Sequence, residues 1–293
     1  MQPTCIAVVV HWAAMAWTST RGLALHEKLP IFAAMFQHPP TTAVPTSLHG
    51  WFDANRLGAP DAISLVTQLL QQPSFAPEAM DSRIFRWACL HGHDAAVAEL
   101  VRDHRVDVTV QDFFGVRMAL KRNRDIVDLL CAQYSSVAEA VFDLVQDTFT
   151  HACHYGHLDA IQYMLDDPRL LPATMHDAIA TMAFIDTYCG FTMMSWQSQH
   201  HMTHKSTLAV VDLVRKHPAF DIGNRDSRLF RWYCHIGDLE MVKELLKHPR
   251  VDPSAKSSAA LMLARYNEPM TALLLADGRV DPLAAASISI FYE

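Results

Sequence analysis

Charged side chains are scarce in this chain: Asp, Glu, Lys and Arg make up 19% of its 293 residues, against about a quarter in an ordinary globular protein. Positive charge is scarcer than negative, with 24 Lys and Arg against 31 Asp and Glu and a net charge of −7. No basic stripe runs along the sequence, so the phosphate-neutralising footprint of a nucleic-acid-binding protein is missing. Glycine is sparse as well, at 10 residues, and no glycine-rich phosphate loop is present. Neither is a G-x-S-x-G elbow, an H-E-x-x-H helix or a Cys–His nucleophile motif. No apolar run reaches the ~18 residues a membrane span needs. The 6 cysteines, Cys5, Cys89, Cys131, Cys153, Cys189 and Cys234, form no C-x-x-C pair, which argues against a zinc ribbon.

What the chain does have is apolar surface, at 51% of residues, ample for burial and unlike a disordered composition. A single core rarely grows to this length, so two domains or one elongated array are expected. Cys5 to Trp17 is short and apolar, and Ala14-Met15-Ala16 resembles a signal-peptidase site. It lacks a basic leading region and His11 interrupts it, so a buried N-terminal helix is the expectation.

Laid on itself at an offset of 145 residues, the chain matches at 14 of the 27 positions from Asp81 to Asp107. Ser82-Arg83-Ile84-Phe85-Arg86-Trp87 returns as Ser227-Arg228-Leu229-Phe230-Arg231-Trp232, Cys89 as Cys234, Gly92 as Gly237, and Arg105-Val106-Asp107 as Arg250-Val251-Asp252. Pro73 and Phe75 likewise return as Pro218 and Phe220. A third copy lies between them: Phe149, Ala152, Cys153, Gly156 and His157 repeat Phe85, Ala88, Cys89, Gly92 and His93 at offset 64. Half of that offset is close to the ~33-residue period of helix–turn–helix repeats.

Within one unit, Ile84, Phe85, Ala88 and Cys89 fall on one face of a short first helix. Gly92 is placed to end it in the left-handed conformation, and Asn123, the next best residue for that geometry, takes the same place in the following unit. Val97, Leu100 and Val101 stripe a second helix, as do Ile161, Met164 and Leu165, and Val242, Leu245 and Leu246. Helices of about ten residues are marginal alone in water. Such hairpins must stack, burying their apolar faces on their neighbours. The cysteines at the repeated small position read as packing residues in a reducing, cytoplasmic compartment.

Ala88-Cys89-x-x-Gly92-His93 followed by Val97 and Leu100 resembles the core of the ankyrin repeat, and Asp107 to Asp112 with Gly115 resembles its finger loop. Arg250-Val251-Asp252-Pro253 and Arg279-Val280-Asp281-Pro282 are similar to the variant of amoebal, chytrid and giant-virus ankyrin proteins. The family's T-P-L-H motif is absent, with Arg83-Ile84-Phe85-Arg86 in its place. The resemblance implies an all-α fold, an ankyrin-like α-solenoid of about seven to eight helix–turn–helix repeats with short finger loops. Residues 1–47 are expected as an atypical helical cap and 48–293 as the array, with an insertion near 186–206. Helix pairs are expected near 47–72, 82–103, 116–132, 147–166, 174–216, 227–247 and 257–276, an extra helix over Ser135 to Gln146, and a last helix after Pro282.

The resemblance also implies a protein–protein interaction scaffold with no catalytic, cofactor or metal site. A protein or peptide partner would then meet the finger tips and the exposed ends of the first helices. Those positions are His91, Phe113, Phe114, Lys121, Arg122, His154, Tyr155, His235, Arg265 and Tyr266. For Phe113 and Phe114 the alternative is a finger folded onto its neighbour. Other constellations are weaker. His151, His154 and His157, or His200, His201 and His204, have ligand-like spacing without a second shell, and Cys153 and His157 are already explained by the repeat. Asp166 and Asp167 adjoin a helix end, with nothing that would tune them for acid–base work. Arg83, Arg86, Arg228 and Arg231 are expected to pair with neighbouring acids beside a packed Trp87 and Trp232. Leu29-Pro30-Ile31-Phe32 faintly resembles an F-box, which leaves a substrate adaptor with an N-terminal recruiting element as the alternative function.

Overall fold

The computed structural model describes residues 58–182 and 203–281, together with positions 29, 32, 33, 36, 37 and 283. Most of the expected cap, most of the insertion with His200 and His201, and the helix after Pro282 lie outside the described residues. Among the described residues the chain is helical with no strand, and no helix there is long and apolar enough to cross a membrane.

Two compact units divide the chain at Leu144 and Val145. The first contains α1 (Ala59–Leu70), α2 (Ala79–His91), α3 (Asp94–Leu100), α4 (Val110–Leu120) and α5 (Arg124–Gln133). α6 (Ser135–His154) runs from the first unit into the second. The expected extra helix over Ser135 to Gln146 is therefore continuous with the first helix of the next pair. The second unit continues with α7 (Leu158–Leu165), α8 (Pro172–Met182), α9 (His204–Arg215), α10 (Asn224–Ile236), α11 (Leu239–Leu246), α12 (Ala255–Leu263) and α13 (Glu268–Ala276).

Contacts in each unit follow one rule. Paired helices touch (α2 with α3, α4 with α5, α10 with α11, α12 with α13). First helices also touch the next first helix, α2 with α4 and α10 with α12. Second helices do the same: α1 with α3, α3 with α5, α7 with α9, and α11 with α13. The anticipated stripes are what these contacts bury. Ile84, Phe85, Ala88, Cys89, Val97 and Leu100 are at most 1% exposed, as are Val242, Ile161 and Met164. Full burial of each such aliphatic side chain contributes roughly 1.5–3 kcal/mol before entropy is counted. Burial also pushes the Cys89 and Cys153 thiols well up, with Asp94 adding to the rise at Cys89, and Cys234 up to about 12. They are packing groups with no thiolate to offer.

Gly92, Gly156, Gly237 and Gly278 take the left-handed conformation, with φ of 69°, 68°, 81° and 76°. Asn123 does not. It sits at φ −148°, ψ 102°, and its side chain caps the start of α5 by accepting from the Asp125 and Ile126 N–H groups. Its carboxamide satisfies orphan donors of the second helix rather than ending the first.

The loops hold the larger departure from expectation. No extended finger forms over Asp107 to Gly115; α4 already starts at Val110. In its place is a left-handed turn of three residues, and it recurs in four units: Met80–Asp81–Ser82, Gln111–Asp112–Phe113, Arg225–Asp226–Ser227 and Lys256–Ser257–Ser258, all with φ between 47° and 58°. Each non-glycine residue so placed costs roughly 1–2 kcal/mol, so the turn survives only where the surroundings hold it.

Two side chains hold it. In three of the four turns an arginine five residues after the middle residue donates back to the turn carbonyls, and Met262 takes that place in the fourth. Arg86 Nε reaches Asp81 O at 2.9 Å and Nη2 reaches Met80 O at 2.9 Å. Arg231 reaches Asp226 O and Arg225 O, and Arg117 reaches Asp112 O. The expectation that Arg86 and Arg231 pair with acids is thus corrected: backbone carbonyls take their forks. The second device is the serine that ends three of the turns. Ser82, Ser227 and Ser258 are at most 1% exposed, and their Oγ atoms accept the backbone N–H of Asp107, Asp252 and Asp281 at 3.0, 2.7 and 3.2 Å.

That latch explains the Arg-Val-Asp motif. The aspartate turns its carboxylate onto the next turn, as Asp107 Oδ1 does for Thr109 N and Oγ1, and Asp252 Oδ1 for Ser254 N and Oγ. The valine is buried: Val106, Val251 and Val280 are at most 4% exposed. The arginine reaches back to the preceding loop, Arg105 Nη1 to Phe75 O and Arg279 to Val251 O and Leu246 O.

Candidate functional site

The turns between paired helices form a ridge in each unit, because consecutive hairpins lock there. In the first unit Arg122 Nη1 donates 2.9 Å to Leu90 O at the end of α2, and the Asn123 amide donates to the Asp94 carboxylate at the start of α3. In the second unit Gly237, at the end of α10, abuts the Asn267 side chain; a Cβ there would lie 3.0 Å from Nδ2.

Most of the expected contact residues lie on this ridge, though not equally free. In the first unit His91 is half-buried, its ring 6.1 Å from Trp87 and 6.0 Å from His93. Lys121 is half-buried, and burial, with Arg117 and Arg122 nearby, lowers its pKa. Arg122 is exposed but holds Leu90 O. Phe113 and Phe114 are not on the ridge: both are half-buried in the first turn of α4. Phe113 is the third residue of a left-handed turn, where the other units carry serine. Arg86 lies 5.8 Å over the Phe114 ring, so that aromatic folds onto α2.

The second unit presents more open groups. Tyr155 is 43% exposed and stacks on His151 with centroids 4.4 Å apart, with His157 at 6.2 Å. His154 is half-buried and His235 exposed. Tyr266 is 89% exposed, and the Arg265 guanidinium lies 4.7 Å from its ring centre. Among the described residues, no group of three His, Cys, Asp or Glu side chains is arranged to hold a metal ion; the side chains of His200, His201 and His204 lie outside them.

Sequence reasoning missed a second feature of this unit, a cleft between α8 and the Phe220–Asn224 loop. Its polar wall carries His176, Asp221, Asn224, Arg225 and Arg228. The available signal was divergence inside the duplication. At offset 145, Asp221, Asn224 and Arg225 stand where the first copy has Ala76, Ala79 and Met80.

The chain matches no family model, no curated protein and no solved structure.

Proposed function

We propose that this chain is a protein–protein interaction scaffold: an ankyrin-like α-solenoid whose inter-helix turns bind a protein or peptide and which performs no catalysis. The observation that carries this reading is Tyr266, 89% exposed with Arg265 stacked 4.7 Å from its ring centre. An ordered, exposed tyrosine–arginine pair suits a binding hot spot, since such residues bury much area at small entropic cost. Tyr155 on His151 adds a second pair of the same kind. Arg86 and Arg231, the repeated serines and the aspartates of Arg-Val-Asp hold the turns, and the three repeated cysteines are buried with raised pKa.

The test is a peptide selection against the immobilised chain, followed by affinity measurement on Tyr155→Ala and Tyr266→Ala. Loss of one such anchor is expected to weaken binding about tenfold or more. Selected peptides that bind both variants as tightly as the native chain would remove the ridge from the account. Against the adaptor alternative, Phe32, within Leu29–Phe32, is 1% exposed and lies 6.5 Å from Trp87, with Phe36 at 5.5 Å. That burial supports a capping role for these residues.

A further inference from the structure

A charge taken part-way out of water is costly unless an anion or a carbonyl meets it. Lys121, the residue that closes α4, is half-buried, whereas the other described lysines are exposed. Among the described residues its ammonium makes no hydrogen bond and no ion pair. The other half-buried cations there have partners: Arg86 meets turn carbonyls, and Arg117, Arg169 and Arg215 meet carboxylates. Burial lowers the Lys121 pKa, and the charges that act on it, Arg117 and Arg122, lower it further. No carboxylate opposes them. Asp112 pairs with Arg117, and Asp94 takes the Asn123 amide.

Arg122, the next residue along the ridge, is exposed. Its Nη1 is fixed on Leu90 O at 2.9 Å, and the rest of its fork makes no bond among the described residues. The ridge of the first unit therefore carries two adjacent cations, one of them pinned to the end of α2, with no anion of this chain to match them.

The second unit supplies an internal comparison. Asn123 and Asn267 both cap a second helix, α5 and α13, so Lys121 and Arg122 correspond to Arg265 and Tyr266. There the chain covers its own cation: the Arg265 guanidinium lies 4.7 Å from the Tyr266 ring centre. In the first unit the neighbour is a second cation, which cannot do this. What the first ridge lacks is a negative group from outside.

We infer that the ridge of the first unit docks an acidic segment of a partner protein, with Lys121 and Arg122 holding one of its Asp or Glu carboxylates. This deepens the scaffold reading and rests on it for the partner. A phosphate reader offers several uncommitted guanidinium forks. Here part of one fork and one ammonium remain, which suits the single charge of a carboxylate.

The probes are fluorescent dodecapeptides selected from a random pool on the full chain, copies with each Asp or Glu changed to Asn or Gln, and copies with phosphoserine at the acidic position. Polarisation at low and high salt reads the binding. The acidic peptides are expected to bind about tenfold tighter than their amide copies, and to lose that advantage in Lys121→Met and at high salt. Lys121→Met keeps the aliphatic stem and removes an unmatched charge, so its urea midpoint is expected to equal or exceed the native one. A lowered midpoint would show that the ammonium already has its partner within the chain, and the inference would fall. Amide copies that bind as tightly as the acidic peptides, or an acid preference that persists in Lys121→Met, would overturn it too. If such acid-independent binding weakens in Tyr266→Ala, the dock fails while the scaffold stands. A selection that yields no binding peptide removes both. Phosphoserine copies that bind more than tenfold tighter than the acidic peptides, and only through Lys121, would overturn the carboxylate in favour of a phosphate.

Discussion

Ser227 accepts the Asp252 N–H at 2.7 Å from a position with φ 54°. The contact joins one left-handed turn to the loop 25 residues on. Replacing Ser227 by Ala leaves a part-buried backbone donor without its partner, at a cost of roughly 1–3 kcal/mol. A urea midpoint unchanged in Ser227→Ala would show that the hydroxyl is not a latch. Arg231, 5% exposed, gives the same turn a forked donor. Lysine offers a point charge with no fork, so Arg231→Lys is expected to lose most of what Arg231→Met loses in the same urea assay. Equal stability of native and Lys variants would reduce the contact to simple charge. Ser257 separates conformation from hydrogen bonding, since it is exposed at φ 56°. Ser257→Val is expected to lower stability by about 1–2 kcal/mol while Ser257→Gly is tolerated, because a β-branched residue is an outlier at positive φ. The sequence carried these residues in plain view as a repeated Ser-Arg-x-Phe-Arg-Trp. It did not carry their role, because no glycine marks the positive φ and the compensating partners lie on another loop.

At the scale of elements, spacing was a good guide and turn chemistry a poor one. The stripes Val97/Leu100/Val101, Ile161/Met164/Leu165 and Val242/Leu245 face inward, with Leu246 half-buried, because helical periodicity is local and needs no partner to be read. Asn123 went the other way: its neighbours decide whether it ends one helix or caps the next, and it caps α5. The cleft beside α8 was invisible for the same reason, since His176 and Asp221 meet only across 45 residues of chain. Close approach between elements gives the clearest test. A Cβ on Gly223 would lie 2.2 Å from the Arg250 carbonyl oxygen, and one on Gly115 would lie 2.4 Å from the fully buried Phe85 ring. Backbone cannot yield as a side-chain tip can. Gly223→Ala is expected to cost about 1–3 kcal/mol or more and Gly115→Ala a comparable amount. Thermal melts that match the native chain for both variants would mean that the loops and helices do not meet this closely.

For the whole molecule the decisive electrostatic fact is that both units bury a neutral histidine. His93 in the first unit and His176 in the second are each 8% exposed, and burial is the main cause lowering both from the ordinary value of 6.5. At His93 the neighbouring His91 lowers it further while Asp94 opposes. At His176, Asp221 and Asp177 oppose the shift, and Arg225 and Arg250 add to it. A folded-state pKa below the unfolded one means the unfolded chain binds more protons as acidity rises. The stability these groups contribute is therefore complete above about pH 6.5 and is lost as pH falls towards their folded values. Carboxylates act in a separate, lower window. Asp103 and Asp277, held below 3.8 by hydrogen bonds from Arg105 and Arg279, contribute stability that is lost only as pH falls below that value. Urea unfolding at about pH 7.5, 6.5 and 5.5 should then show a falling midpoint well before the carboxylates titrate. His176→Gln, with a side chain that cannot charge, should reduce the part due to the second unit, leaving the share of His235, whose pKa burial also lowers. A flat native profile over this range, or a steep one that His176→Gln leaves unaltered, would contradict the assignment of acid sensitivity to these buried rings.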